Sequence, residues 1–134
     1  MPKEYVNPSS LFPSLPHGFS QVVVASGRKM VFISGQTAWD VRKKIVGEDS
    51  VLEQARQAFR NLRKAIEAAG GTLKEIVALR IYIVNYQVEN ANALRTALNE
   101  FFSSAKPPAS TWIGVSALAV PEFLIEIEAT AMLD

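Results

Sequence analysis

The chain contains no cysteine and a single histidine, His17. The first absence excludes a disulfide framework, a thiol nucleophile and any thiolate metal site. The second removes the usual zinc constellations and any site built on two histidines. An excess of charge is lacking too: 14 Lys and Arg against 13 Asp and Glu leave a net charge of +1, with no broad electrostatic footprint for nucleic acid or membrane. Long hydrophobic runs are also missing. The longest apolar stretch, Ile76–Val84, is broken by Arg80 and falls far short of the roughly 20 residues of a membrane helix. No apolar segment follows the charged N-terminal residues, so a cytoplasmic address is the expectation.

What is present suits one self-sufficient domain, since 134 residues with 49% hydrophobic content can bury a sizeable core. No internal repeat or low-complexity block divides it, and the domain is expected to span residues 1–134. Residues 1–17, with their prolines and serines, form an irregular lead-in. Phe19–Ala25 and Met30–Ser34 flank a Ser-Gly-Arg-Lys turn signal and read as an antiparallel hairpin. Ser50 followed by Glu53 predicts a capping box. Beyond it Leu52, Ala55, Phe59, Leu62, Ile66 and Ala69 form one helical face that ends at Gly70-Gly71. Ile76–Val84 suits a buried strand, a second helix is predicted from an Asn90 cap to Phe102, and Thr111–Ala117 and Phe123–Met132 read as closing strands. The order ββαβαββ is α+β, a mixed sheet with two helices on one face. The other sheet face then needs a cover, and the apolar turn Leu118–Pro121 also points towards an oligomer.

Several segments in order resemble the Rid family of reactive-intermediate deaminases, also known as the YjgF family and by the older label endoribonuclease L-PSP. They are Gly18-Phe19-Ser20-Gln21, Val31–Gln36, Gln54–Leu62, Glu67–Gly71 and Ile125–Ala129. The resemblance covers roughly residues 15 to 132. It implies a chorismate-mutase-like fold, a homotrimer with sites in clefts between subunits, and cofactor-free hydrolysis of imines and enamines to a keto acid and ammonia. Little is needed for that chemistry: a protonated C=N carbon is already electrophilic, so an oriented water and a substrate anchor suffice.

The alternation in Ile125-Glu126-Ile127-Glu128 puts two carboxylates about 7 Å apart on one side of a strand, and the resemblance makes Glu126 the water-orienting residue. It also places Gly35 where the backbone faces the ligand. At Pro108-Ala109-Ser110-Thr111 the sequence departs from the family, whose Pro-Ala-Arg-Ser carries a substrate-carboxylate arginine. Ser110 stands at that position or, with a one-residue shift, Thr111 does. Neither replaces a guanidinium fork. Phe19 replaces a tyrosine and Arg95 an asparagine, so Arg95 is read either as a solvated helix residue or as a substitute cation. Trp112 is a candidate pocket wall.

His17, beside Gly18-Phe19, is weighed as a general base. The stripe Arg56, Arg60, Arg63 and Lys64, flanked by Glu53 and Glu67, reads as a solvated helix face. The resulting expectation is a trimeric imine or enamine hydrolase that uses neither metal nor cofactor and contacts neither membrane nor nucleic acid. Without the arginine it is expected to prefer substrates lacking an α-carboxylate. The alternatives are a ligand-binding or regulatory protein that has lost the chemistry and, third, an RNA-directed nuclease, against which the balanced charge argues.

Overall fold

The computed structural model describes residues 3–134. Its centre is a four-stranded sheet made of β3 (Lys29–Gln36), β4 (Ile76–Val84), β5 (Ala109–Val115) and β6 (Ile125–Leu133), in the order β3-β6-β4-β5. β6 is antiparallel to both its neighbours, whereas β4 and β5 are parallel. A parallel pair needs a crossover, and α2 (Val88–Phe101) supplies it. The other helix, α1 (Val51–Ala68), joins β3 to β4. A separate two-stranded ribbon pairs β1 (Glu4–Val6) with β2 (Val22–Val24).

Strand alternation gives the sheet two different faces. Ile33, Leu79, Ile81, Ile83, Ile125 and Ile127 are buried together with Ala58, Phe59, Leu62 and Ile66 of α1 and Leu94, Ala97 and Leu98 of α2. Both helices therefore cover one face, the α+β arrangement expected from the sequence. On the opposite face Phe32 remains 75% exposed and Met30 56% exposed.

α1 begins at Ser50, whose hydroxyl accepts from the Glu53 N–H at 3.1 Å. The return half of the predicted box is not made, because the Glu53 carboxylate pairs with Arg56 and the Ser50 N–H donates to the Gly47 carbonyl. Ala69, placed on the buried face by periodicity, is exposed just past the helix end. α2 starts earlier than predicted, with Gln87 as its cap; Asn90 lies one turn in and accepts from the Gln87 N–H at 2.6 Å.

The predicted hairpin does not form: β2 pairs with β1, and β3 pairs with β6. The lead-in therefore contains a strand, which adds a β-element ahead of the predicted order. β6 gives β3 a long partner that buries Ile33, which a three-residue strand could not. The connecting turn is tied down as the Arg28 N–H donates to the Leu133 carbonyl at 2.8 Å. Gln54, fully buried, fastens the loops at one end. Its amide nitrogen donates to the carbonyls of Glu48 (2.6 Å) and Glu122 (3.0 Å), and its oxygen accepts from the Leu124 N–H (2.9 Å).

Candidate functional site

Glu126 and Glu128 both stand on the sheet face away from the helices, since Ile125, Ile127 and Ala129 are buried on the other. In the pairing with β4, Glu126 lies opposite Tyr82 and Glu128 opposite Arg80. Arg80 in turn lies opposite Thr111 on β5. The Tyr82 hydroxyl donates diagonally to Glu128, and this bond, more than burial, raises the phenol above its ordinary range. Burial first, and the neighbouring Glu128 charge second, push the Glu126 carboxyl up from its usual value. The result is a carboxylate of raised proton affinity, able to take a proton from water and return it.

A bulge brings Gly35 to this carboxylate. Ile33 pairs with Ala129 but Gln36 with Ile127, so Ser34 and Gly35 together oppose Glu128 alone. A Cβ at Gly35 would fall 1.9 Å from Glu126 Oε2 and 2.6 Å from its Cδ. The backbone at Gly35 has no positive φ; glycine is required by the approach of the side chain.

Register separates Ser110 from Thr111. Ser110 lies opposite Leu79 and Trp112 opposite Ile81, so their side chains share the helix face, and the Trp112 indole N–H donates to the Ser110 hydroxyl at 2.8 Å. Thr111 is the one on Glu126's face. A cavity of about 440 Å³ runs across that face, with Phe32, Arg80, Thr111, Glu128 and Thr130 among its walls. Ser110 also borders it.

The remaining candidates gather at the β5 edge. Phe19 packs edge-on against Trp112, ring centres 5.8 Å apart, and Phe12 joins Phe19 to His17. Ser20 forms a parallel bridge to Ala109, which holds this segment alongside β5. Arg95 on α2 runs behind Gly18, its Cγ 3.8 Å from where a Cβ would sit, and its buried Nε has no hydrogen-bond partner among the described residues. One protomer therefore presents two groups of candidates: Glu126, Gly35 and Thr111 on the open face, and Phe19, Ser110, Trp112 and Arg95 at the helix-side edge.

The sequence reading does not single out Arg80 or Tyr82. Their signal was available, since in Leu79-Arg80-Ile81-Tyr82-Ile83 alternate polar residues mark a second, unburied face. Among the described residues no three His, Asp or Glu side chains form a metal cage, and no helix is long and apolar enough to cross a membrane. Arg56 of the basic stripe is paired with Glu53 and Glu100.

Known proteins share this architecture. A 2-iminobutanoate/2-iminopropanoate deaminase of Dermatophagoides farinae is 29% identical over 133 residues, 99% of this chain and 98% of its own. The crystal structure of YyfB from Yersinia pestis, a Rid-family protein of unknown function, superposes with a TM-score of 0.94 at 41% identity, covering 99% of this chain and 100% of that one. Rv2704 of Mycobacterium tuberculosis, a member of the YjgF/YER057c/UK114 family, matches at 27% identity and a TM-score of 0.64 over 98% of this chain and 99% of its own. The sequence profile of the family described as Endoribonuclease L-PSP spans residues 12–133, and the chain belongs to that family, the Rid or YjgF family.

Proposed function

We propose that this protein is a cofactor-free hydrolase of small reactive imines and enamines, with a substrate range different from that of a 2-iminopropanoate deaminase. The observation that carries this reading is the Glu126 carboxylate, raised in pKa and held over the bare backbone of Gly35. As water adds to the protonated C=N carbon, Glu126 accepts the water proton while the new C–O bond forms. It then delivers that proton to the nitrogen of the carbinolamine; as the C–N bond breaks, the carboxylate takes the hydroxyl proton, ammonia and a carbonyl compound leave, and Glu126 returns the proton to solvent. The name of the Dermatophagoides relative supports the reaction class. The shift in substrate range rests on β5, where Thr111 is neutral and the Ser110 hydroxyl is engaged by Trp112.

The working unit in this reading is a homotrimer, supported by the exposed Met30 and Phe32 on an uncovered sheet face. Clefts between subunits could unite the open-face and edge groups that lie apart in one chain. The test is release of ammonia and 2-oxo acid from freshly generated 2-iminobutanoate, comparing wild type with Glu126→Ala. Loss of turnover in the variant is expected; equal rates would remove Glu126 from the mechanism. The neutral β5 position also favours a second reading, a ligand-binding protein without turnover. Thermal-shift stabilisation by small carboxylates or amides with no ammonia release would establish it.

A further inference from the structure

We propose a second ligand site on the helix side of the sheet: a pocket beside β1 that takes an amphipathic monoanion, an aromatic ring bearing a carboxylate on a short chain.

The pocket holds about 500 Å³, the size of a small-molecule site. It lies where β1, the 3-10 turn Leu73–Glu75 and the end of α2 meet. Ile76 at its base belongs to the core beneath the helices, and Leu73, Phe101 and Phe102 pack against that core. Met30, Phe32 and Glu126, on the other face of the sheet, take no part in its lining. Its aromatic floor is fixed before any ligand arrives. The Phe59 ring stacks on Phe101 with 5.4 Å between centres and meets Phe102 edge-on at 5.6 Å. Tyr5 of β1 adds a third lining ring. Such walls favour a flat ring over a polar body.

The polar part of the lining carries one sign of charge. Lys3, Lys74 and Lys106 reach the pocket from three separate segments, and no Asp or Glu lines it. The Lys3 ammonium donates to the Lys74 carbonyl, which leaves it two further N–H donors. Glu75, whose charge acts on Lys3, is itself engaged by the Thr72 N–H (2.8 Å) and hydroxyl (3.1 Å). Burial holds Lys3 below its ordinary pKa despite that carboxylate, as for an ammonium short of counter-charge. Among the described residues the ammonium groups of Lys74 and Lys106 and the Tyr5 hydroxyl have no partner. A neutral aromatic ligand would leave these cations unmatched, and a bare inorganic anion would leave the apolar floor in water. An aryl-alkyl carboxylate satisfies both.

The test is calorimetry on the intact protein with 4-phenylbutanoate, its neutral amide 4-phenylbutanamide, and butanoate, which lacks the ring. The aryl acid is expected to bind, and the amide and butanoate each to bind about tenfold more weakly or worse. Lys106→Glu should weaken the aryl acid by about tenfold or more and leave the amide unchanged. Ser103→Trp, which fills the pocket from its wall, should abolish binding of the acid. Both variants change exposed residues, so the fold is retained, as circular dichroism checks. Glu126→Ala should bind the aryl acid as the wild type does. No detectable binding of the acid, equal affinity for acid and amide, or indifference to Lys106→Glu or Ser103→Trp overturns the proposal. So does loss of binding in Glu126→Ala, which would place the ligand on the open face instead.

Discussion

The carboxylate of Glu126 occupies the space that a side chain at Gly35 would need: a Cβ there would lie 1.9 Å from Oε2. Gly35→Ala must therefore displace the carboxylate, while the ordinary backbone conformation at 35 accommodates alanine. The expected outcome is a folded protein whose kcat falls on the order of 10²-fold, the scale of a misplaced reacting group. Steady-state kinetics with circular dichroism checks both halves.

Glu126 also predicts the sign of a pH effect. Its folded pKa is raised by burial and by Glu128, so between the unfolded and folded values the native state holds more proton than the unfolded chain. Stability contributed by this group consequently falls as pH rises through that window. Glu126→Gln should raise Tm at pH 7, and the gain should disappear in acid, where both side chains are neutral. Thermal melts over a pH series measure it. In the wild type, turnover that needs ionised Glu126 should fall on acidification, with its inflection above the ordinary glutamate value.

Gln54 gives a prediction about stability alone. Truncating it to alanine leaves the carbonyls of Glu48 and Glu122 and the Leu124 N–H without the partner they share. A loss of about 2–3 kcal/mol is expected from those unmet groups, read as a lower urea midpoint.

Phe32 tests the assembly. If the uncovered face is where copies meet, Phe32→Glu places a charge in the contact and should convert the oligomer to a monomer in sedimentation velocity. The exposed ring has no buried core role to lose, so the far-ultraviolet spectrum should not change.

Arg56 should matter little. Its partners Glu53 and Glu100 are solvent-exposed neighbours on helix surfaces, and such pairs are screened by salt. Arg56→Ala is expected to shift Tm slightly in dilute buffer and not at all in 1 M salt, with imine turnover unchanged.

Local pattern made much of this fold legible in advance. Ser50, the spacing from Leu52 to Ile66 and Gly70 bounded α1 to within a residue or two, because capping and one-sided burial act over a few neighbours. β4 was bounded by its apolar run. What escaped was pairing between distant segments. Glu4–Val6 is too short to show a period, and nothing near Met30 reveals that its partner is Met132. The bulge at Ser34-Gly35 is likewise invisible, since one extra residue leaves composition unchanged. At the site, alternation placed Glu126 and Glu128 together correctly. Which of Ser110 and Thr111 shares a sheet face with Glu126 depends on the β4–β5 register, which no local pattern reveals.

The position of β6 has a consequence for how the protein is made. The last strand in sequence lies in the middle of the sheet, flanked by β3 and β4. While the chain emerges from the ribosome, β3 and β4 have no mutual pairing to form, and the apolar sides of both helices have no completed sheet to cover. The complete sheet requires residues 125–133, the shared partner of β3 and β4. A chain cut before Ile125 would keep only the parallel β4–β5 pairing of this sheet, leave β3 without its partner, and be a sticky, protease-sensitive species.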